Sequence, residues 1–382
     1  MANSGTKGSA LFRKILVVFQ FVISIILIIA TTVIVRQLHY MQQKDLGYST
    51  ENVVYIDMEG KSKDNYEVMK TELLREPSII AVTRANQLPF RMGSNGGGYD
   101  WQDRDVTNDV LIGFAVAGYD YDRVLDLELV EGRYYSQDFP TDTSNGIILN
   151  ESAVHIMNMK DPVGKWIQRG DSRYNVIGVM KDFHFLPLTY EISPLAMYFG
   201  PMEWTGLMMI KFRGENAATA INHIEKTWQS INPTFPFNYD FLDKEYQQMY
   251  ESENRLGKIF SYFSGLAILI SCLGLFGLAS FMAEQRTREI GIRKTFGAPV
   301  SAIVMLMSKE FARLVLLANV IAIPVAWYAL REWLTNYSYT TRLGPDIFVL
   351  AFIVSIVIAW VTISYQAVKA ALMNPVEAIK YE

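Results

Sequence analysis

The residues of this sequence whose types and spacing come nearest to chemistry are an acid and a histidine two positions apart, Asp182 and His184. On an extended strand, positions i and i+2 face the same way, so the two could share a proton in general acid–base work. No nucleophile motif accompanies them, and the pair is expected to be structural; no catalytic residue is assigned. His39, His155 and His223 show neither H-E-x-x-H nor another ligand spacing. Cys272 is the only cysteine and lies in an apolar run, so an intrachain disulfide and a cysteine-based metal site are both excluded. The glycine-rich loop at residues 92–98, flexible by composition, suggests phosphate binding, yet G-x-x-x-x-G-K-[ST] occurs nowhere. Gly60-Lys61-Ser62 has the end of that motif, but Tyr55 stands where its first glycine belongs, and Gly164-Lys165 is followed by Trp166. No metal and no cofactor are expected, and ATP is not bound here through a P-loop.

The elements that carry these residues are of two kinds. With 382 residues, 50% of them hydrophobic, and a mean hydropathy of +0.12, the chain is too apolar for an ordinary soluble protein and too polar to be wholly embedded in lipid. Its net charge of −4 is unevenly spread. Residues 37–256 hold 32 acidic and 20 basic side chains, and the rest of the chain holds 7 and 15. The long polar section is acidic, and everything near the apolar runs is basic.

Residues 1–14 are polar and basic, and residues 15–35 form an uncharged apolar run broken by Gln20, Ser24 and two threonines. At 1.5 Å per residue such a run spans roughly 30 Å, the thickness of the hydrocarbon layer. The competing reading is a cleaved signal peptide, but the run is too long and no A-x-A-like site ends it. A first transmembrane helix is therefore expected over 15–36, continuing as a stalk. Further spans are expected over 257–283, 300–330 and 347–368. They are joined by a segment at 284–299 and an outer loop at 331–346, and the tail is 369–382. The third span is entered through an amphipathic stretch, 301–313, and contains Pro324, which lipid-embedded helices tolerate. Trp327, Tyr328, Trp333 and Tyr337 suit an interfacial belt. Small residues recur in the second span at Ser271, Gly274, Gly277 and Ser280, a stripe that lets helices approach closely and is expected to serve helix packing between subunits. Cys272 and Asn319 are read as packing residues.

Residues 37–256 have the periodicity of a water-soluble α+β domain. Strands are expected at 52–58, 79–84, 110–116, 174–181 and 207–212. Helices are expected at 64–75, with Tyr66, Met69, Leu73 and Leu74 on related faces, at 119–129, 151–159 and 215–231, and over 243–256, the last running straight into the second span as one continuous stalk.

The segment 284–298, E-Q-R-T-R-E-I-G-I-R-K-T-F-G-A, joins two spans. Glu284/Arg288 and Glu289/Arg293 place the acid four residues before the base, which supports a helix by about 0.2–0.5 kcal/mol per pair. Gly297 and Pro299 stop it. Ile290, Ile292 and Phe296 stand among the charges, so a short basic helix with exposed apolar knobs is expected against one membrane face. Two plainer readings are a solvated loop that only sets topology and an amphipathic helix resting on anionic lipid.

The wording of this segment closely resembles the cytoplasmic coupling segment of MacB/FtsX-type ABC transporter permeases, and Asn374-Pro375-Val376-Glu377-Ala378 resembles that family's terminal motif. Within the polar section, Glu131-Gly132-Arg133, Leu149-Asn150-Glu151-Ser152-Ala153, Asp161-Pro162-Val163-Gly164-Lys165 and Val176-Ile177-Gly178-Val179 resemble its periplasmic core domain. The resemblance implies an α-helical membrane protein with four transmembrane helices, one before and three after a large extracytoplasmic α+β domain, in which about 119–200 is an inserted subdomain. It implies a non-catalytic permease subunit in a bacterial inner membrane. Arg286, Arg288, Glu289, Ile290, Gly291, Arg293, Lys294, Phe296 and Gly297 would meet a separate cytoplasmic ABC ATPase. A second permease half, identical or paralogous, and membrane lipid complete the expected partners; no nucleic acid is expected.

The charge pattern bears on orientation and on mechanism. Lys7, Arg13, Lys14, Arg286, Arg288, Arg293, Lys294, Lys309, Arg313, Lys369 and Lys380 fall on one side of four spans, against Arg36, Lys258, Arg331 and Arg342 on the other. The positive-inside rule puts both termini and the segment 284–299 in the cytoplasm. No ionisable residue lies mid-membrane in 15–35, 259–282 or 347–364, where a polar pathway would need one. Movement of the external domain, rather than passage of substrate between helices, is the expected output. A membrane-anchored sensor is the alternative, and a membrane enzyme a third reading. Because the start of the sequence resembles the second half of longer, duplicated permeases, the chain is either a half-permease or a piece of such a chain.

Overall fold

The computed structural model describes residues 4–104, 109–286, 289, 292–293 and 295–371, with the side chains of 4–10, 300, 303, 307, 370 and 371 left aside. It divides into two compact units. The first comprises Met1–Met41, Ser252–Asn336 and Thr340–Glu382; the second comprises Gln42–Glu251 with Tyr337–Tyr339.

The first unit is helical. Its elements are α1 (Ser4–Gln43), α8 (Glu251–Gln285), α9 (Val300–Leu334) and α10 (Pro345–Ala371). All four contain stretches long and apolar enough to cross a membrane. In lipid a helix satisfies its own backbone, so the apolar runs have no other stable form. Pro324 lies inside α9 without ending it. The helices meet along a fully buried seam that includes Ile25, Ile29 and Val33 of α1, Leu275 of α8, and Phe311 and Val315 of α9. Ala318, Ala322 and Ala326 recur every fourth residue on α9, and Ala351, Ala359 and Ala367 are buried along α10. Alanine at helical spacing brings backbones close, which is where packing between helices gains when lipid offers no hydrophobic force.

A few polar ties fix register in this unit. The Ser24 and Ser271 hydroxyls are 2.9 Å apart. Asn319 Nδ2 donates to Ser355 Oγ at 3.1 Å, and Thr341 N–H donates to Gln37 Oε1 at 2.7 Å. Arg36 pairs with Asp346. Interhelical ties of this kind contribute about 0.6 kcal/mol each on average.

The second unit holds two sheets. In chain order its strands are β1 (Val53–Asp57), β2 (Ile79–Ala85), β3 (Asn95–Gly96), β4 (Tyr99–Trp101), β5 (Ile112–Val116), β6 (Leu129–Gly132), β7 (Gly146–Asn150), β8 (Trp166–Arg169), β9 (Ser172–Met180), β10 (Leu195–Tyr198), β11 (Leu207–Phe212) and β12 (Asp240–Phe241). The four-stranded sheet has the order β12-β1-β11-β2 and is antiparallel throughout. Helices α2 (Tyr66–Leu73) and α6 (Ala217–Ile231) pack with it around Val54, Ile56, Met69, Val82, Met208, Ile210, Ile224 and Trp228. The eight-stranded sheet has the order β3-β5-β10-β7-β9-β8-β4, with β6 beside β9, and is mixed: β5–β10 and β7–β9 are parallel. Short helices α3 (Tyr121–Leu125), α4 (Asp142–Asn145) and α5 (Glu151–Ile156) accompany it, and α7 (Leu242–Met249) follows β12.

Several sequence expectations are corrected. The helix expected over 119–129 is only α3, because Asp120 and Asp126 at its two ends are left-handed, with φ of 63° and 53°. An L-residue there cannot continue a right-handed helix, and Leu129 opens β6. The loop at 92–98 contains a paired segment, Asn95 and Gly96 opposite Gly113 and Ile112. Leu74 lies beyond the end of α2 and is exposed. The larger sheet takes β3, β4 and β5 from before residue 119 as well as β6–β10. The continuous stalk from 243 into the second span is also broken: α7 ends at Met249, and Tyr250 has φ −104°, ψ 15°. Buried Tyr250 stacks edge-on against Tyr246, and its hydroxyl accepts from Leu188 N–H at 3.2 Å, which holds it out of helical register.

Candidate functional site

Asp182 and His184 go separate ways. Ser152 donates through its N–H at 2.9 Å and its hydroxyl to the Asp182 carboxylate, so Asp182 closes the first turn of α5. His184 N–H donates to Leu46 C=O at 2.8 Å, and its ring meets Tyr339 edge-on with centroids 4.8 Å apart. Burial, and then the Lys44 ammonium, hold the imidazole below its ordinary pKa. The pair thus shares no proton: Asp182 serves as an acceptor for the first turn of α5, and His184 serves packing. Among the described residues no three His, Cys, Asp or Glu side chains converge on a metal site.

The segment between α8 and α9 has a different character. Arg286 N–H donates to the carbonyls of Met282 and Ala283 at 3.1 and 3.2 Å, closing α8. Its guanidinium donates to the Glu310 carboxylate of α9, so the start of the segment is tied to both helices it joins. Residues 289, 292, 293 and 295 are helical. Arg293 donates to Glu289 at 2.8 Å, the pairing read from their spacing. Both are about half exposed, so this pair supports the helix by only about 0.3–0.5 kcal/mol.

The segment ends on a recognisable stop. Phe296 N–H donates to Ile292 C=O at 3.2 Å, Gly297 has φ +82°, and Ala298 N–H reaches back to Arg293 C=O at 3.0 Å. That six-to-one bond over a left-handed glycine is the Schellman stop. Pro299 then precedes α9. The stop leaves Phe296 88% exposed and Ile292 exposed beside it. An aromatic ring this open, flanked by arginines and a glutamate, is what an anchor for a partner requires. Arg288, Ile290, Gly291 and Lys294 lie outside the described residues, as does the motif at 374–378.

The small-residue stripe of α8 divides. Ser271 meets Ser24 of α1, and a Cβ on Gly274 would stand 2.1 Å from Gln20 Oε1. Those two positions pack within one chain. A Cβ on Gly277 would meet nothing within 4 Å, and Ser280 Oγ donates to Phe276 C=O of its own helix at 3.0 Å. The sequence had singled out Gln20 and Ser24 only as interruptions of an apolar run. That a polar residue in such a run faces another helix is the signal that identifies them. The Arg286–Glu310 tie carried no signal, since its spacing of 24 residues follows no local period.

Comparison with known proteins places these features in a family. A model described as "MacB-like periplasmic core domain" matches residues 15–226, and one described as "FtsX-like permease C-terminal" matches residues 261–375. An uncharacterised ABC transporter permease of Bacillus subtilis, YknZ, is 25% identical over 290 residues, covering 69% of this chain and 68% of its own length. The macrolide export ATP-binding/permease protein MacB of Bdellovibrio bacteriovorus is 22% identical over 296 residues, covering 72% of this chain and 44% of its own. The chain thus spans less than half the length of that ATP-binding/permease relative. Among solved structures, the periplasmic region of MacB from Actinobacillus actinomycetemcomitans is 16% identical, with a TM-score of 0.38 over 55% of this chain and 97% of that one. With one family model covering more than half of its length and a second covering three of its four long apolar helices, the chain belongs to the MacB/FtsX-like ABC transporter permeases and is a multi-pass membrane protein.

Proposed function

We propose that this chain is the membrane half of a transporter whose ATP is hydrolysed on a separate cytoplasmic subunit, and that the segment 284–299 receives the motion of that subunit. The observation that carries this reading is Phe296, 88% exposed at the tip of a short charged turn between two apolar helices. Left bare, a ring of that size at the end of a turn contributes nothing to the fold, whereas in a groove it would supply much of an interface's affinity. Arg286 and Glu310 give the turn a grip on α9 as well as its covalent continuation from α8. A displacement of the turn is then felt by both helices together.

The excess of basic residues beside the segment and the termini supports a cytoplasmic location for them, and hence an extracytoplasmic place for the acidic α+β unit. In this reading the membrane is the bacterial inner membrane, and the chain works with a second permease half. Its output is movement of the external unit, used for export, extraction or signalling.

The test is isolation of the transporter from its native membrane with the partner ATPase, comparing the parent with Phe296→Ala, Glu289→Ala and Gly291→Leu. Loss of an anchoring interfacial contact costs roughly 2–4 kcal/mol, enough to abolish copurification and stimulated hydrolysis while membrane insertion persists. A segment that merely rests on lipid needs only its basic residues; normal ATPase coupling in all three variants would sink the proposal.

A further inference from the structure

Arg84 lies on β2 and is only 6% exposed, yet among the described residues it forms no ion pair with a carboxylate. Its guanidinium donates to the carbonyls of Gly200 at 2.9 Å and Pro201 at 3.4 Å and to the Thr205 hydroxyl at 3.2 Å. One face covers the Phe199 ring, 4.9 Å from its centroid. Every named partner is neutral, and these bonds use three of the five N–H donors a guanidinium carries. Glu67 and Glu203 act on the group only at longer range, and burial holds its pKa below the ordinary value. A buried cation left with neutral partners is costly, and the cost falls when an anion arrives.

There is room for one. Arg84 lines a cavity of about 410 Å³ together with Thr143, Tyr174, Tyr198, Phe199 and Trp204. Volumes of about 300–1,000 Å³ with aromatic walls and a few converging polar groups are typical of small-molecule sites. Tyr198 is fixed by its hydroxyl contact to Tyr99 at 3.1 Å and by the edge of Tyr174 at 5.1 Å, so that wall is rigid. Trp204 is 65% exposed, an aromatic side chain at the rim with a face uncovered.

We propose that this cavity binds an organic anion with a flat apolar body and a carboxylate, the carboxylate meeting Arg84 and the body lying between the tyrosines and Trp204. The shared chemistry has two sources, a small aryl acid or the C-terminal carboxylate of a peptide ending in an aromatic residue. The site lies wholly within the α+β unit, so it stands or falls independently of the coupling role of residues 284–299.

The test uses the full chain in detergent and follows binding of 3-phenylpropionate by saturation-transfer NMR, with 3-phenylpropionamide as the uncharged control and Gly-Gly-Phe as the peptide form. The acid should bind and the amide should bind at least tenfold more weakly. Arg84→Gln should weaken the acid by about 30-fold and leave the amide unchanged. Because Arg84 also holds the 200–205 loop, Trp204→Ala serves as the second variant: it lies in that loop but removes only an exposed side chain, leaving the Gly200 and Pro201 carbonyls and the Thr205 hydroxyl to Arg84, and should weaken acid and amide alike. Tighter binding of Gly-Gly-Phe than of the free acid would assign the site to peptide C-termini, and the reverse order to small acids. Equal binding of acid and amide, or acid binding unaffected by Trp204→Ala, overturns the proposal and leaves Arg84 as a staple of the loop only.

Discussion

Lys70 and Asp120 show what a single residue contributes in the α+β unit. The Lys70 ammonium donates to the Asp120 carboxylate at 2.6 Å, with side-chain exposures of 9% and 25%. Burial alone would raise the Asp120 pKa, but Lys70 and then Arg123 bring it below its ordinary value. A carboxyl held down in the folded state adds stability that is fully present above its unfolded-state pKa and is lost as pH falls through the folded value. Asp120→Asn keeps the left-handed backbone tolerable, removes the charge and turns one of the two oxygens that accept from Lys70 and Arg123 into a donor. It should lower stability at neutral pH by about 1.5–3 kcal/mol and flatten the acid limb of the unfolding profile, as read by thermal unfolding of the full chain in detergent between pH 3 and 7. An acid limb identical to the parent's would contradict this. His184 runs in the same direction for a different reason. Its imidazole is held down by burial and Lys44, so protonation opposes the fold, and stability should begin to fall as pH drops below the ordinary histidine range. His184→Gln should remove that part of the loss, measured in the same titration.

At the level of elements, the positions where helices touch make the sharpest tests. A Cβ at Gly274 meets only the flexible end of Gln20, which can swing aside, but the full side chain of Gly274→Leu must also be fitted between α8 and α1. Overpacking of this kind costs typically 1–3 kcal/mol, and the unfolding midpoint in detergent should fall. Gly277→Leu, with nothing within 4 Å of its Cβ, should leave the midpoint of the single subunit unchanged. Gly297→Val forces a β-branched residue to φ +82°, at a cost of roughly 1–2 kcal/mol, and should loosen the stop that presents Phe296. Much of this architecture was legible in the sequence. Long uncharged runs admit one structure in lipid, so four spans and a polar domain between the first two followed from periodicity alone. The Glu289–Arg293 pair and the Gly297 stop also followed, because their spacing is local. What could not be read was non-local. Strands β4, β7 and β10 are short and pair with distant partners, and nothing in the neighbourhood of Arg84 announces that Gly200, Pro201 and Thr205 fold onto it. The break at Tyr250 likewise depends on a contact with Leu188, 62 residues away.

For the molecule as a whole, the uneven charge makes a topological prediction. In a background with Cys272→Ala, a membrane-impermeant thiol reagent applied to intact cells should label Gly93→Cys, which is exposed with nothing within 4 Å of its Cβ, and should spare the exposed Ser301→Cys. The reverse pattern would invert the orientation drawn from the basic residues. Orientation alone does not establish coupling, because a lipid-resting helix would have it too. The direct measurement is photo-crosslinking in the native membrane from a benzoylphenylalanine placed at Phe296, the ring left 88% exposed by the turn. The predicted result is a crosslink to an ATPase subunit that carries its own P-loop, with a yield that changes between nucleotide-free and ATP-trapped states. A crosslink only to lipid, or to an ATPase with a yield indifferent to nucleotide, would contradict the coupling role of the segment 284–299.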